Sequence, residues 1–375
     1  MTEELNILKR ESIGLLKEMI GIPSPSFEEE AVCTHIHNWL VDKGLNPERI
    51  GNNLVCELVS DSPQEGSLML CAHIDTVSPA SDYSFNPTCP DYGLAAEVVS
   101  RIRGEKLSRN DIVAGLGSND DGASVVSFIA VFRYFSKHRD ELGGKNLTLV
   151  LSCEEERSGE GGMRSLWSKR LSHITHAIIG EPTGMKAAIS ERGLLVLDGV
   201  AEGLSGHAAR NEGVNALYIA LDDIQKLRSF SFDKVSPIMG KVHLNVTQIN
   251  AGTAHNVIPD RCTFVVDIRP TEQYTNEEIL SQLSSVCKST LKARNLANRS
   301  SATYESSPLI EAARLCGIET FSSPTTSDWM RISCDAVKMG PGDSARSHKK
   351  DEYVLCSEIS SGIETYIEYI KNIKL

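Results

Sequence analysis

The sequence predicts an α/β fold with a mainly parallel sheet, interrupted by a smaller inserted α+β domain, and three patterns carry that expectation. Helix and strand patterns alternate through the first part of the chain, which is how parallel strands joined by crossover helices read. After "EPTG" (181–184) the pattern turns to alternating strands mixed with two helices, the mark of an antiparallel sheet with one solvated face. From about residue 298 short apolar segments return and lead into a closing amphipathic helix. The outer domain is therefore expected over 1–184 and 298–375, and the insertion over 185–297.

Each element follows from its periodicity. Residues 3–19 and 28–43 repeat apolar positions at helical spacing, whereas "NLVCELV" (53–59) and "SLMLCAHID" (67–75) are apolar runs of strand length. "GASVVSFIAVFRYFSKH" (122–138) is apolar enough for a packed helix, and "NLTLVLSC" (146–153) and "HAIIGEP" (176–182) follow as buried strands. In the insertion "GLLVLDGVAEG", "KVHLNVTQINAG" and "CTFVVDIRP" alternate, with helices expected at about 214–229 and 276–294.

Composition narrows the partners. Fifty acidic residues against 38 basic ones give a net charge of -12, which argues against nucleic acid or an anionic membrane surface. A small-molecule substrate or a protein partner is left. No run approaches the roughly 18 apolar residues of a membrane span, and residues 1–20 lack the continuous apolar stretch of a signal peptide. The ten cysteines form no C-x-x-C pair and several lie inside apolar strands, so reduced, buried thiols in a cytoplasm are expected.

The chemistry collects at strand ends. "AHIDTV" places His73 and Asp75 two apart, so on a strand both face one side and can meet one ion or each other. A carboxylate beside a liganding imidazole fixes its tautomer; a buried His–Asp hydrogen bond is the alternative for the pair. "GLGSNDDGAS" (115–124) has neither a third glycine at dinucleotide spacing nor a G-K-[ST], so its phosphate-loop signal is weak. Asp120 or Asp121, at a helix start with glycines beside it, suits a carboxylate bridging two cations and equally suits an N-cap.

"SCEEER" ends a buried strand on Glu154, Glu155 and Glu156, where like charges need a cation or water among them. With two divalent cations one glutamate can ligate while its neighbour acts as a general base. Glu181 ends another strand, and His348 stands in a glycine-rich polar loop where an imidazole has no packing role. Imidazole with carboxylate and no thiolate suits zinc or a related divalent ion in a catalytic site.

Taken in order over residues 14 to 371, these motifs resemble the zinc aminoacylase and exopeptidase family that contains acetylornithine deacetylase, succinyl-diaminopimelate desuccinylase and glutamate carboxypeptidase. The resemblance implies a metallopeptidase-like catalytic domain, an inserted lid and dimerisation domain, and two divalent ions, zinc first and cobalt as a substitute. It implies His73 as a ligand with Asp75 behind it. Asp120 is implied as the bridge, although the family's D-x-K-G reads "DDGA" here and leaves Asp121 as a substitute.

Aligning Cys153 with the aspartate of the family's D-E-E makes Glu154 the base and Glu155 a ligand; a one-residue slip moves both roles to Glu155 and Glu156. Glu181 and His348 are implied as terminal ligands of the first and second metal. His207 of "GLSGHAARNEGVNAL" is implied to enter a partner subunit's site and stabilise the oxyanion, hence a homodimer, and Asn256 and Arg269 are implied to hold a substrate carboxylate. The implied activity is removal of the acyl group from an N-acyl amino acid, N-acetylornithine first, in arginine biosynthesis. The alternatives are N-succinylornithine, N-acetylcitrulline, N-succinyl-diaminopimelate or a dipeptide.

Overall fold

The computed structural model describes residues 2–60, 66–210 and 212–375. It divides into two compact units, one of Met1–Ile189, Thr303–Phe321 and Ser327–Leu375, the other of Ser190–Ala302 with Ser322–Thr326. The chain thus changes unit at 189/190 and 302/303, a few residues beyond the boundaries expected from the sequence, and residues 322–326 return briefly to the second unit.

The first unit is built on a mixed sheet running, in spatial order, Glu48–Ile50, Asn53–Leu58, Asn146–Ser152, Ser67–His73, His176–Ile179, Asp335–Lys338 and Ala187–Glu191. Only its centre is parallel. Ser67–His73 pairs in parallel with Asn146–Ser152 and with His176–Ile179, which pairs in parallel with Asp335–Lys338. The flanks are antiparallel, because Asn53–Leu58 follows Glu48–Ile50 through a tight connection and then joins Asn146–Ser152 antiparallel. All seven residues of Ser67–His73 are buried, as a central strand covered on both faces requires.

Helices Thr2–Ile20, Gly122–Lys137 and Cys356–Asn372 supply one buried layer against this sheet. Gly122–Lys137 has 13 buried positions, which explains why its sequence is apolar nearly all round. Phe128 packs its ring 4.8 Å from that of Tyr366, and the Tyr366 hydroxyl donates to Met339 O at 2.6 Å. A helix at Tyr92–Arg103, capped by Asp91 and closed by left-handed Gly104, was not among the elements expected from the sequence, although it buries Ala95, Ala96, Val98 and Val99 on one face.

The second unit is a four-stranded antiparallel sheet in the order His243–Ala251, Arg261–Arg269, Leu195–Glu202, Thr290–Ala293. Leu195–Glu202 alternates buried with half-buried positions and ends on exposed Glu202, the pattern that predicted it. Helix Ala216–Ser229 is capped by Asn215, and helix Asn276–Val286 by a capping box of Thr275 and Glu278. The second helix stops at Val286 rather than about 294. Cys287 turns extended, and Thr290–Ala293 pairs with Leu195–Glu202, so edge pairing replaces the last turns of the expected helix.

Candidate metal centre

Strand order decides where the chemistry gathers. His73 stands opposite Ser152 and Cys71 opposite Ile179 in the parallel ladders, so the loops carrying Glu154–Glu156 and Glu181 leave the sheet at the carboxyl end where His73 sits. The loop 115–121 between Ile112–Ala114 and helix Gly122–Lys137 brings Asp120 to the same end.

Asp120 lies between two groups of donors. Its Oδ1 is 3.3 Å from His73 Nε2, and its Oδ2 is 3.6 Å from His348 Nε2. His73, Asp120 and Glu181 form one set whose ligand atoms all lie within 4.8 Å of one another; Asp120, Glu156 and His348 form a second. His348 Nε2 is 3.0 Å from Glu156. Asp75 is behind His73, its Oδ1 3.5 Å from Nδ1, and is itself held by the Ser26 hydroxyl at 2.7 Å.

The triple glutamate is placed one residue later than the first alignment expected. Glu155, expected as a ligand, belongs to neither donor group among the described residues, and Glu156 takes that place. Glu154, expected as the base, has its carboxylate turned back on its own loop, where Oε2 accepts the Gly161 N–H at 2.8 Å. A Cβ on Gly159 would lie 2.1 Å from Glu154 Oε2 and one on Gly161 2.4 Å from Oε1, so the glycines of "SGEGG" make room for this side chain. The physical reason is the turn: Glu154 adopts φ 60, which aims its side chain into the loop and leaves the next two residues facing the site. Asp121, the substitute bridge, is buried beside Asp120 but is in neither donor group.

Residues that sequence reasoning passed over hold the loops in place. Glu352 is buried and accepts the N–H groups of Gly117, Asn119 and Asp120 at 3.2, 2.9 and 3.0 Å. Asn119 accepts from Asp343 N at 2.9 Å and donates to Asp343 O at 3.1 Å, tying the Asp120 loop to the His348 loop. The acids of "KKDEYV" were a visible signal, but only topology brings Glu352 under Asp120.

The peptidase dimerisation domain family matches residues 189–295, and peptidase family M28 matches 53–179. A succinyl-diaminopimelate desuccinylase of Wolbachia pipientis is 23% identical over 97% of this chain and 94% of its own. An acetylornithine deacetylase of Proteus mirabilis is 26% identical over 98% of each. A solved Bacillus subtilis structure, a dinuclear metal-binding peptidase of the M20 family, superposes with a TM-score of 0.71 at 15% identity, covering 98% of both chains. The chain is a hydrolase with the fold of the M20 peptidases.

That fold joins a catalytic domain to a dimerisation domain, and the donor set present here fits two divalent cations. The electrostatics carry that fit. Burial, with the charges of Glu181, Asp328 and Glu156, holds the Glu155 carboxyl well above its ordinary range, and burial with the Asp120 charge does the same to Glu181. Burial disfavours a charged His73, but its hydrogen bonds to Asp120 and Asp75 outweigh this and hold its pKa well up. His348 is pushed up to about 9, first by its hydrogen bond to Glu156. Carboxylates buried this close to one another call for positive charge among them, and two imidazoles with three carboxylates are oxygen and nitrogen donors of the kind zinc takes.

A cavity of about 260 Å³ lies behind the strand end, lined by Leu16, Met19, Ile20, His73, Asp75 and Asp121 among others. It shares His73 with the first donor group, whereas Asp120, Glu156, Glu181 and His348 do not line it.

In the second unit, His207 and Asn256 come together through the short ladder that sets Val257 opposite His207, with Ala208 N donating to Asn256 O at 3.0 Å. His207 is exposed and accepts the Ala209 N–H on Nδ1 at 3.2 Å. Arg269 is engaged by Asp267, two residues back on the same strand face, through Nε at 2.9 Å and Nη2 at 3.2 Å. No described helix is long and apolar enough to cross a membrane.

Proposed function

We propose that the chain is an M20 hydrolase that removes the acyl group from the nitrogen of a small N-acyl amino acid, with N-acetylornithine as first substrate, in cytoplasmic arginine biosynthesis. The observation that supports the reaction class is Asp120 standing between two donor trios with Glu155 beside them. Two zinc ions, or cobalt in their place, would be held by His73, Asp120 and Glu181 and by Asp120, Glu156 and His348. When bound, such ions polarise the scissile carbonyl and acidify the attacking water.

Glu155 is the general base. Its carboxylate takes the proton of the water whose oxygen attacks the carbonyl carbon, and returns it to the amine nitrogen as the C–N bond breaks. Asp75 keeps His73 oriented. His207, supplied by a second copy of the chain in a homodimer, donates to the oxyanion, and Asn256 and Arg269 hold the substrate's carboxylate; Arg269 would exchange Asp267 for it. Free cysteines throughout, ten in all, suit a reducing cytoplasm.

Relatives named for acetylornithine and for succinyl-diaminopimelate support the substrate class at 22–26% identity. The test is amine release from N-acetyl-L-ornithine, N-succinyl-L-ornithine, N-acetyl-L-citrulline, N-succinyl-diaminopimelate and dipeptides, with and without chelator. Chelator-sensitive ornithine release supports the reading. Release confined to dipeptides or to the diaminopimelate compound moves the protein to another branch of its family.

A further inference from the structure

Four consecutive backbone N–H groups after the strand Asn146–Ser152 donate to side chains of other elements. Cys153 N donates to Asn53 Oδ1 at 3.0 Å, Glu154 N to Glu29 Oε1 at 3.1 Å, Glu155 N to Asp75 Oδ1 at 3.0 Å and Glu156 N to Asp75 Oδ2 at 3.1 Å. Glu29 and Asp75 are fully buried. Asp75 belongs to the site already described. Glu29 does not: it precedes helix Glu30–Asp42 and is in neither donor group.

A buried carboxylate is costly unless it is well hydrogen-bonded. Glu29 receives the N–H of Phe27 at 2.8 Å and of Glu154 on one oxygen, and the Asn52 side-chain amide at 3.4 Å on the other. The bond to Glu154 is its one tie to the triple-glutamate loop, and it falls on the residue with φ 60. A non-glycine residue keeps that conformation when its surroundings hold it there. The direction in which Glu155 and Glu156 leave the turn is set at that residue.

We propose that Glu29 is a positioning residue for the hydrolysis, acting through the Glu154 amide to aim Glu155 and Glu156. The inference rests on the reading of Glu155 as base and Glu156 as ligand. Asp75 grips the two functional residues from one side, and Glu29 grips the residue before them from the other. With the Glu29 tie gone, Asn53 still holds Cys153 and Asp75 still holds Glu155 and Glu156, but among the described residues no other acceptor pins the Glu154 amide between them. A shift of about 1 Å in a reacting group costs on the order of a hundredfold in rate.

The experiment compares full-length Glu29→Ala, Glu29→Gln and Glu155→Gln with the unaltered protein, each saturated with zinc, for kcat, KM, metal per chain and amide hydrogen exchange. Glu29→Ala is expected to lose about a hundredfold in kcat with KM changed by less than about threefold. Exchange should rise over 153–162 and stay unchanged in the strand 67–73. Glu29→Gln, which keeps an acceptor oxygen for the Glu154 N–H, should recover most of kcat. Full activity in Glu29→Ala, a uniform rise of exchange through the first unit, or a Gln variant as slow as the Ala variant would each overturn the role. Normal turnover in Glu155→Gln would instead remove the base assignment, and with it the proposal; an inactive Glu155→Gln beside an active Glu29→Ala removes the positioning role alone.

Discussion

His348 Nε2 lies 3.0 Å from both carboxylate oxygens of Glu156, a residue 192 positions earlier in the chain. Asp120 Oδ2 is 3.6 Å from the same nitrogen, so the contact belongs to one donor group rather than to an isolated ion pair. His348→Ala should therefore lower zinc from about two ions to about one per chain, and His73→Ala should do the same at the other group. Asp120→Ala, which touches both, should lower it further. Elemental analysis after gel filtration measures this, and two retained ions in His348→Ala would remove the second site as drawn.

The register of the triple glutamate is decided by three conservative variants. Glu155→Gln should cut turnover by about 10²- to 10⁴-fold while metal content holds, as removal of a general base does. Glu156→Gln should lose metal. Glu154→Gln, whose amide oxygen still accepts from Gly161, should stay within a few-fold of the unaltered rate. Loss of turnover confined to Glu154→Gln would return the assignment to the first alignment.

His207→Ala should lower kcat by about 10²- to 10³-fold, the usual cost of one oxyanion donor, with metal content unchanged. Sedimentation of the variant should give the same oligomeric state as the unaltered protein, the proposed homodimer. An unaltered kcat would end the proposed oxyanion role of His207.

Lys145 gives a pH signature apart from the two donor groups. Burial, with the charge of Lys374, pushes its pKa down to about 8, and its Nζ donates to Ile373 O at 2.9 Å. Between pH 8 and the ordinary lysine value the unfolded chain holds the proton that the folded chain has released, so folding stability from this group rises with pH over that window and is flat below it. The stability difference between the unaltered protein and Lys145→Met, read from urea unfolding at matched pH, should grow in favour of lysine across the window. A difference that stays level there contradicts the shifted pKa.

How much could be read in advance depended on whether a feature is local. The helix Gly122–Lys137 and the strand Ser67–His73 were legible because burial on every side imposes an apolar run, and Leu195–Glu202 because burial on one face imposes alternation. The helix expected to reach about 294 stopped at Val286 because strand pairing beside Leu195–Glu202, a long-range interaction, took its last residues. Glu29, Asn119 and Glu352 were illegible as site residues, since each acts through backbone amides that lie far off in sequence.

By itself the sequence determined the inventory: an alternating α/β framework, an antiparallel insertion, and histidines and carboxylates placed just after strands, because side-chain type and period are written residue by residue. The tertiary structure decided which of three adjacent glutamates joins a donor group, Glu156. That choice hangs on the φ of Glu154 and on amides caught by Glu29 and Asp75, which are contacts between distant segments and leave no period in the chain.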